Sequence, residues 1–274
     1  MDGHVANLLR EADRDRYIST LYAAAEKRAE LTALYAFNAE IAAVRDRIRD
    51  PMAGEVRLQW WRDAIAAGAP TGNPVADALI EAVAACQLPV SAFERMLEAR
   101  IFDLYDDPMP DRTTLEGYCG ETASALIQLA LMILDRDAAP SLAGAAGHAG
   151  CAQAITGLLR LLPLHRARGQ CYLPGGLLAS AGTSPAELIA GDNREAAARA
   201  ISATIALARE HWSAFERQAK EIPQGVRPAF LPLAPIPAYL RTLGKGPEAA
   251  FDKVPGISGM RVQLVIGYRA LWGW

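Results

Sequence analysis

Residues that can pack together recur three or four positions apart in almost every stretch between proline and glycine breaks. This helical period is the strongest constraint on the fold. Leu31, Leu34, Tyr35, Asn38, Ile41 and Arg45 follow it within 28–49, a spacing that brings side chains to one side of a helix. No sustained period-two run competes with it, and no Asn-Gly or Asp-Gly turn joins two such runs as a hairpin would. No internal repeat stands out. The expectation is an all-α chain forming one domain over residues 1–274.

Helices are expected over 13–29, 28–49, 55–67, 75–86, 91–104, 114–134, 142–162 and 193–218. Pro51 and Gly54, the GAPTGNP loop at 68–74, DDPMPD at 106–111, the 135–140 segment and Pro163 separate them. Ser91 with Glu94, and Ser184 with Pro185 and Glu187, have the spacing of capping boxes. Five prolines between Ile222 and Pro237 predict a bent connection.

Net charge is −3, from 28 basic and 31 acidic residues, and no Lys/Arg run exists. That excludes a nucleic-acid footprint. Cys86, Cys119, Cys151 and Cys171 form no CxxC or close Cys/His pair, so they are expected to be buried reduced thiols rather than zinc ligands. The charged start, MDGHVANLLREADRDRY, lacks an apolar signal core, which makes cytoplasmic residence the expectation. No uncharged apolar run reaches the ~18 residues of a spanning helix. The tail YRALWGW sets Trp272 and Trp274 beside Arg269, a composition that suits a membrane interface or partner groove, or plain packing of a terminal segment.

Several residues could carry chemistry. Asp46 and Asp50 lie four apart, as two carboxylates sharing a magnesium ion would. Arg45, Arg47 and Arg49 surround them, so a salt-bridged helix terminus is the competing reading. Asp103, Asp106 and Asp107 in FDLYDD could bind a metal, or serve as one structural aspartate plus turn residues. Arg57 and Trp61 share a helix face, fit either to hold an anionic head beside an apolar tail or to close a core helix with an Arg–Asp lock. Arg160, His165, Arg166 and Arg168 cluster near Pro163 and could collect a phosphate or an anionic lipid head. Neither a dinucleotide-binding glycine motif nor a P-loop is present.

The stretches LYAFNAEIAAVRD, GEVRLQWWRD, FDLYDD, GLLRLLPLHRARGQCYLP and YLRTLG resemble the squalene/phytoene synthase family, from Asp13 to Pro247. The resemblance implies a prenyl-synthase-like helical bundle with a central cavity. It also implies two Asp-rich motifs on facing helices, holding magnesium for head-to-head condensation of two prenyl diphosphates. At those motifs the chain departs from the pattern. Ala42 and Ala43 stand where the first aspartate pair belongs, leaving Asp46. Leu161 and His165 stand where the second motif has its aspartates, whereas RGQCYLP with Tyr172 keeps the family form. Alanine and leucine cannot coordinate magnesium. The pattern is similar to a divergent branch that serves respiratory complex I assembly. That similarity implies a non-catalytic protein without a cofactor, with respiratory complex subunits as partners and a position on the cytoplasmic face of the inner membrane. An anionic lipid or isoprenoid ligand would meet Arg57, Arg160, His165, Arg166, Arg168 and Tyr172, in a cavity walled by Asn38, Ala42, Trp61 and Leu161. The alternative is an active prenyltransferase whose magnesium is held by Asp46, Asp50, Asp103, Asp106 and Asp107.

Overall fold

The computed structural model describes residues 3–274. Among them the regular elements are helical: α1 (Gly3–Ala12), α2 (Arg14–Thr20), α3 (Arg28–Ala42), α4 (Val44–Arg47), α5 (Pro51–Ala67), α6 (Pro74–Ala85), α7 (Val90–Ile101), α8 (Arg112–Cys119), α9 (Ala125–Leu134), α10 (Ala143–Arg160), α11 (Leu162–Ala167), α12 (Gly175–Ser180), α13 (Pro185–Ala190), α14 (Arg194–Ala219), α15 (Ile236–Lys245) and α16 (Gly259–Trp272). A π turn, Gly120–Ser124, joins α8 to α9 in one rod, and the proline-rich connection folds into two 3-10 turns.

Short polar side chains set the helix starts. Asp13, Asp50, Asn73, Asp111, Ser184, Asn193 and Ser258 each accept a bond from a first-turn backbone N–H, satisfying donors that the helix itself leaves open. The Ser184–Glu187 capping box forms. The Ser91–Glu94 box does not, because α7 begins one residue earlier, behind Pro89. α5 starts at Pro51 rather than Glu55, with Asp50 as its cap. The expected helix over 28–49 ends at Ala42, resumes as α4 and stops at Ile48, which is extended. Asp46 and Asp50 therefore stand on separate elements instead of one helical face.

The core runs continuously from Val5 to Phe251. The most extensive helix pair is α10 with α14. Small buried residues, Ala145, Ala149 and Ala152 on one side and Ala197, Ala200 and Ala208 on the other, allow the two axes to approach closely. Phe37 meets the edges of Trp61 and Phe93 with ring centroids 5.1 and 5.5 Å apart. Trp61 is thus a core residue, fully buried, and not a wall of the cavity as the sequence pattern suggested. The chain end is tied down by Trp274, packed on Trp212 and Phe215, whereas Trp272 remains exposed. All four cysteines are free; Cys86 alone is only half-buried.

By length and composition the Arg112–Leu134 rod is apolar enough to cross a membrane, and half of its apolar window is buried within the fold. Leu126, Leu129, Ala130 and Leu131 are almost wholly buried. The rod's apolar residues therefore serve this core.

α10 touches the π turn where Gly150 sits. A Cβ there would lie 2.4 Å from the Ser124 backbone nitrogen, and the Ser124 hydroxyl donates to the Gly147 carbonyl at 2.9 Å. Gly150→Ala is expected to lower stability by about 1–3 kcal/mol through overpacking. Gly157→Ala, on the same helix with no neighbour within 4 Å, is expected to raise it by up to ~1 kcal/mol. Urea unfolding of the two variants checks the contrast.

Candidate functional site: a cleft with paired carboxylates

An open cleft of about 590 Å³ lies between α1, α3, α4, the α8–π turn and α10. Alanines, among them Ala12, Ala39, Ala42, Ala123 and Ala154, make most of its apolar wall, with Leu8, Leu158 and Leu161. Asn38 lies on the same wall, 7% exposed. The polar rim is Asp13, Arg16, Glu40, Asp46, Arg47, Arg100, Tyr118 and Gln153. Of the residues singled out from sequence, the cleft thus gathers Asn38, Ala42, Leu161 and Asp46. Sequence patterning missed Asp13, Arg16, Glu40, Arg47, Arg100 and Gln153.

Each acidic group has a partner. Asp46 is ion-paired with Arg168 across the cleft mouth. Asp13 caps α2 and also pairs with Arg16, whose guanidinium reaches the Gln153 carboxamide oxygen at 3.3 Å. Glu40, nearly buried, takes Arg47 at 3.0 Å and Arg57 at 3.5 Å. Asp103 is buried beneath the cleft floor. Tyr118 and Tyr172 each donate a phenolic hydrogen to its Oδ1 at 2.8 Å, and Arg100 donates to its Oδ2 at 2.9 Å. Those bonds use most of a carboxylate's accepting capacity.

Two of the three remaining alternative metal ligands are also otherwise engaged. Asp50 accepts the Met52 N–H as a helix cap. Asp106 pairs with Arg45 at 3.1 Å. Asp107 is exposed in the loop before α8. Among the described residues no group of three or more His, Cys, Asp or Glu side chains could hold a metal ion. The residues present do not fit a magnesium pair. The five aspartates that the prenyltransferase alternative needs are dispersed or neutralised rather than convergent.

The basic candidates also separate. Arg168 closes on Asp46 as above. Arg160 stacks on the Tyr239 ring at 3.6 Å in a smaller hollow beside the cleft. Arg166 donates to the carbonyls of Leu188, Ile189 and Phe251 and lies over the Phe251 ring, so it ties α11 to its neighbours instead of facing an anion. Arg57 lies over Trp60, not Trp61, and pairs with Glu40. On the same helix Arg62 bonds Glu98 and Gln59, and Asp63 accepts from Gln59, so among the described residues the alternative Arg–Asp lock does not form there. His165 is buried against Tyr172, with centroids 4.7 Å apart. Burial pushes its pKa down to about 4. Burial and the Asp103 charge hold the Tyr172 phenol protonated, as its role as donor requires.

The helical bundle is that of the squalene and dehydrosqualene synthases, whose solved structures it matches in fold. A model of the squalene/phytoene synthase family matches residues 9–263, and the chain belongs to that family. It is 31% identical to the mouse NADH dehydrogenase (ubiquinone) complex I, assembly factor 6, over 86% of this chain and 72% of that protein. It is 30% identical to a Zymomonas mobilis presqualene diphosphate synthase, over 57% of this chain and 54% of the synthase. The squalene synthase HpnC from Alicyclobacillus acidocaldarius superposes with a TM-score of 0.75 at 20% identity, covering 91% of this chain and 94% of its own.

Two outcomes follow from the buried groups. Asp103→Ala leaves Arg100 buried without its counter-charge, and should cost about 3–5 kcal/mol by urea unfolding. His165 is neutral when folded and protonates near its ordinary value of 6.5 when unfolded. Its contribution is present above pH 6.5 and is lost as pH falls toward 4, about 2–3 kcal/mol by pH 4.5. His148, whose pKa burial and His211 lower, adds a loss of the same sign. The difference between wild type and His165→Gln, each unfolded at pH 7 and pH 4.5, isolates the His165 share.

Proposed function

We propose that the protein is a non-enzymatic member of its family that assists assembly of respiratory NADH dehydrogenase and keeps the cleft as a metal-free lipid or isoprenoid site. The observation that carries this reading is the loss of both carboxylate sets. Ala42, Ala43, Leu161 and His165 occupy the motif positions, and the one remaining aspartate, Asp46, is neutralised by Arg168. Ionising a diphosphate needs a cation on the leaving group, and these side chains offer it no ligands. The similarity to the mammalian assembly factors supports the partner, the subunits of the respiratory complex.

A peripheral place on the inner membrane fits the surface of α16. Val262 and Ile266 face inward, while Met260, Leu264, Tyr268, Leu271 and Trp272 are more than half exposed, with Tyr268 and Trp272 stacked at 5.2 Å. A surface helix apolar on its outer face, edged by Arg261, suits the interface of an anionic bilayer. Leu264→Glu with Trp272→Glu is expected to lower partitioning onto phosphatidylglycerol-containing vesicles by at least tenfold in co-sedimentation, with thermal unfolding unchanged.

Two measurements test the main reading. Deleting the gene should reduce assembled NADH dehydrogenase on native gels, and re-expression should restore it. Purified protein with farnesyl diphosphate and magnesium should yield no presqualene diphosphate, squalene or phytoene. Condensed product at a useful rate would establish the prenyltransferase instead.

A further inference from the structure

The charges around the cleft cancel. Its lining holds three guanidiniums, Arg16, Arg47 and Arg100, and three carboxylates, Asp13, Glu40 and Asp46. They are also paired individually: Arg16 with Asp13, Arg47 with Glu40, Asp46 with Arg168, and Arg100 with Asp103. A diphosphate entering without a metal would have to draw guanidiniums away from these partners, leaving bare carboxylates beside its own oxygens. Within the lining itself positive and negative charges therefore balance, and Arg57, outside it, shares Glu40 with Arg47 at 3.5 Å.

It does offer uncharged hydrogen-bonding groups. The Asn38 carboxamide lines the cleft, largely buried, and makes no hydrogen bond among the described residues. Gln153 accepts from Arg16 through its oxygen, and its NH2 group has no partner among the described residues. The apolar part of the same lining is mostly alanine, with Leu8, Leu158 and Leu161. A volume of about 590 Å³ falls within the ~300–1,000 Å³ of small-molecule sites.

We infer that the cleft binds a single-chain lipid with an uncharged oxygen headgroup, such as a prenyl alcohol, and discriminates against the corresponding diphosphate. The inference rests on the non-enzymatic reading and names the ligand class for its cleft. The headgroup oxygen takes the Asn38 and Gln153 amides, and the chain lies along the alanine wall. Magnesium has no part in the affinity.

Equilibrium binding of radiolabelled farnesol and farnesyl diphosphate to the full-length protein tests this, each with EDTA and with magnesium. Farnesol should bind at least tenfold more tightly than the diphosphate, and neither metal condition should alter its affinity. Asn38→Leu should weaken farnesol at least fivefold. Ala42→Trp, which fills the cleft from an exposed wall position, should abolish binding, with both variants keeping the wild-type melting curve. Hexadecanol binding as well as farnesol would support the uncharged headgroup and assign the ligand to lipids with straight chains. Tighter metal-free binding of the diphosphate, or no farnesol binding by the folded wild type, would overturn the inference. Neither result touches the assembly role, which fails separately if deletion leaves NADH dehydrogenase intact.

Discussion

The buried Asp103 carboxylate is the interaction on which the region around the cleft depends. It lies after α7, takes Tyr118 from α8 and Tyr172 from the loop after α11, and neutralises Arg100 in the last turn of α7. Gln170 adds a bond from its side chain to the Asp103 carbonyl at 2.9 Å. Two distant stretches of chain, at Tyr118 and at Gln170–Tyr172, are thereby fixed to one residue. A buried charge is tolerated only when its partners are complete, so these segments are held together as a set. Tyr118 and Arg100 also reach the cleft wall, which makes the floor of the site an extension of the scaffold.

A similar economy governs the rim. A bundle that holds magnesium needs carboxylates left open to a cation. Here the acidic side chains close on arginines of the same molecule. Asp46 illustrates the change most directly: it stands at a motif position, yet Arg168 satisfies it from across the mouth. Loss of the other carboxylates removes metal affinity, and the ion pairs leave the opening close to electrical neutrality. The family's architecture persists because the alanine-packed α10–α14 pair and the aromatic cluster around Phe37 are independent of the metal chemistry.

Much of the fold was legible in the chain because helical period and capping are local. The Ser184 box and the α14 helix follow directly from neighbouring residues. The break at Ile48 was not, since Asp50 acts as a cap only once the chain turns there. Trp61 read as a cavity residue because its spacing from Arg57 is helical. Its real partner across the core, Phe37, lies on a different helix. The cleft positions Asn38, Ala42 and Leu161 were reached through family motifs. The long-range partners were hidden, because Arg168 with Asp46 and Arg16 with Gln153 span more than a hundred residues. Arg166 shows the same limit from the other side: its position among basic residues suggested an anion, while three backbone carbonyls occupy it.

The π turn between α8 and α9 has a geometric consequence for the whole rod. A widened turn inserts one residue into the helical count, and one residue corresponds to about 100° of rotation about the axis. Tyr118 ahead of it and Leu126, Leu129 and Ile133 beyond it are thus set to different azimuths, the first toward the cleft floor and the rest toward the core. The insertion works as a phase shifter. Without it the two halves could not satisfy their separate surroundings at once, and the alignment of the functional wall would compete with that of the hydrophobic interior.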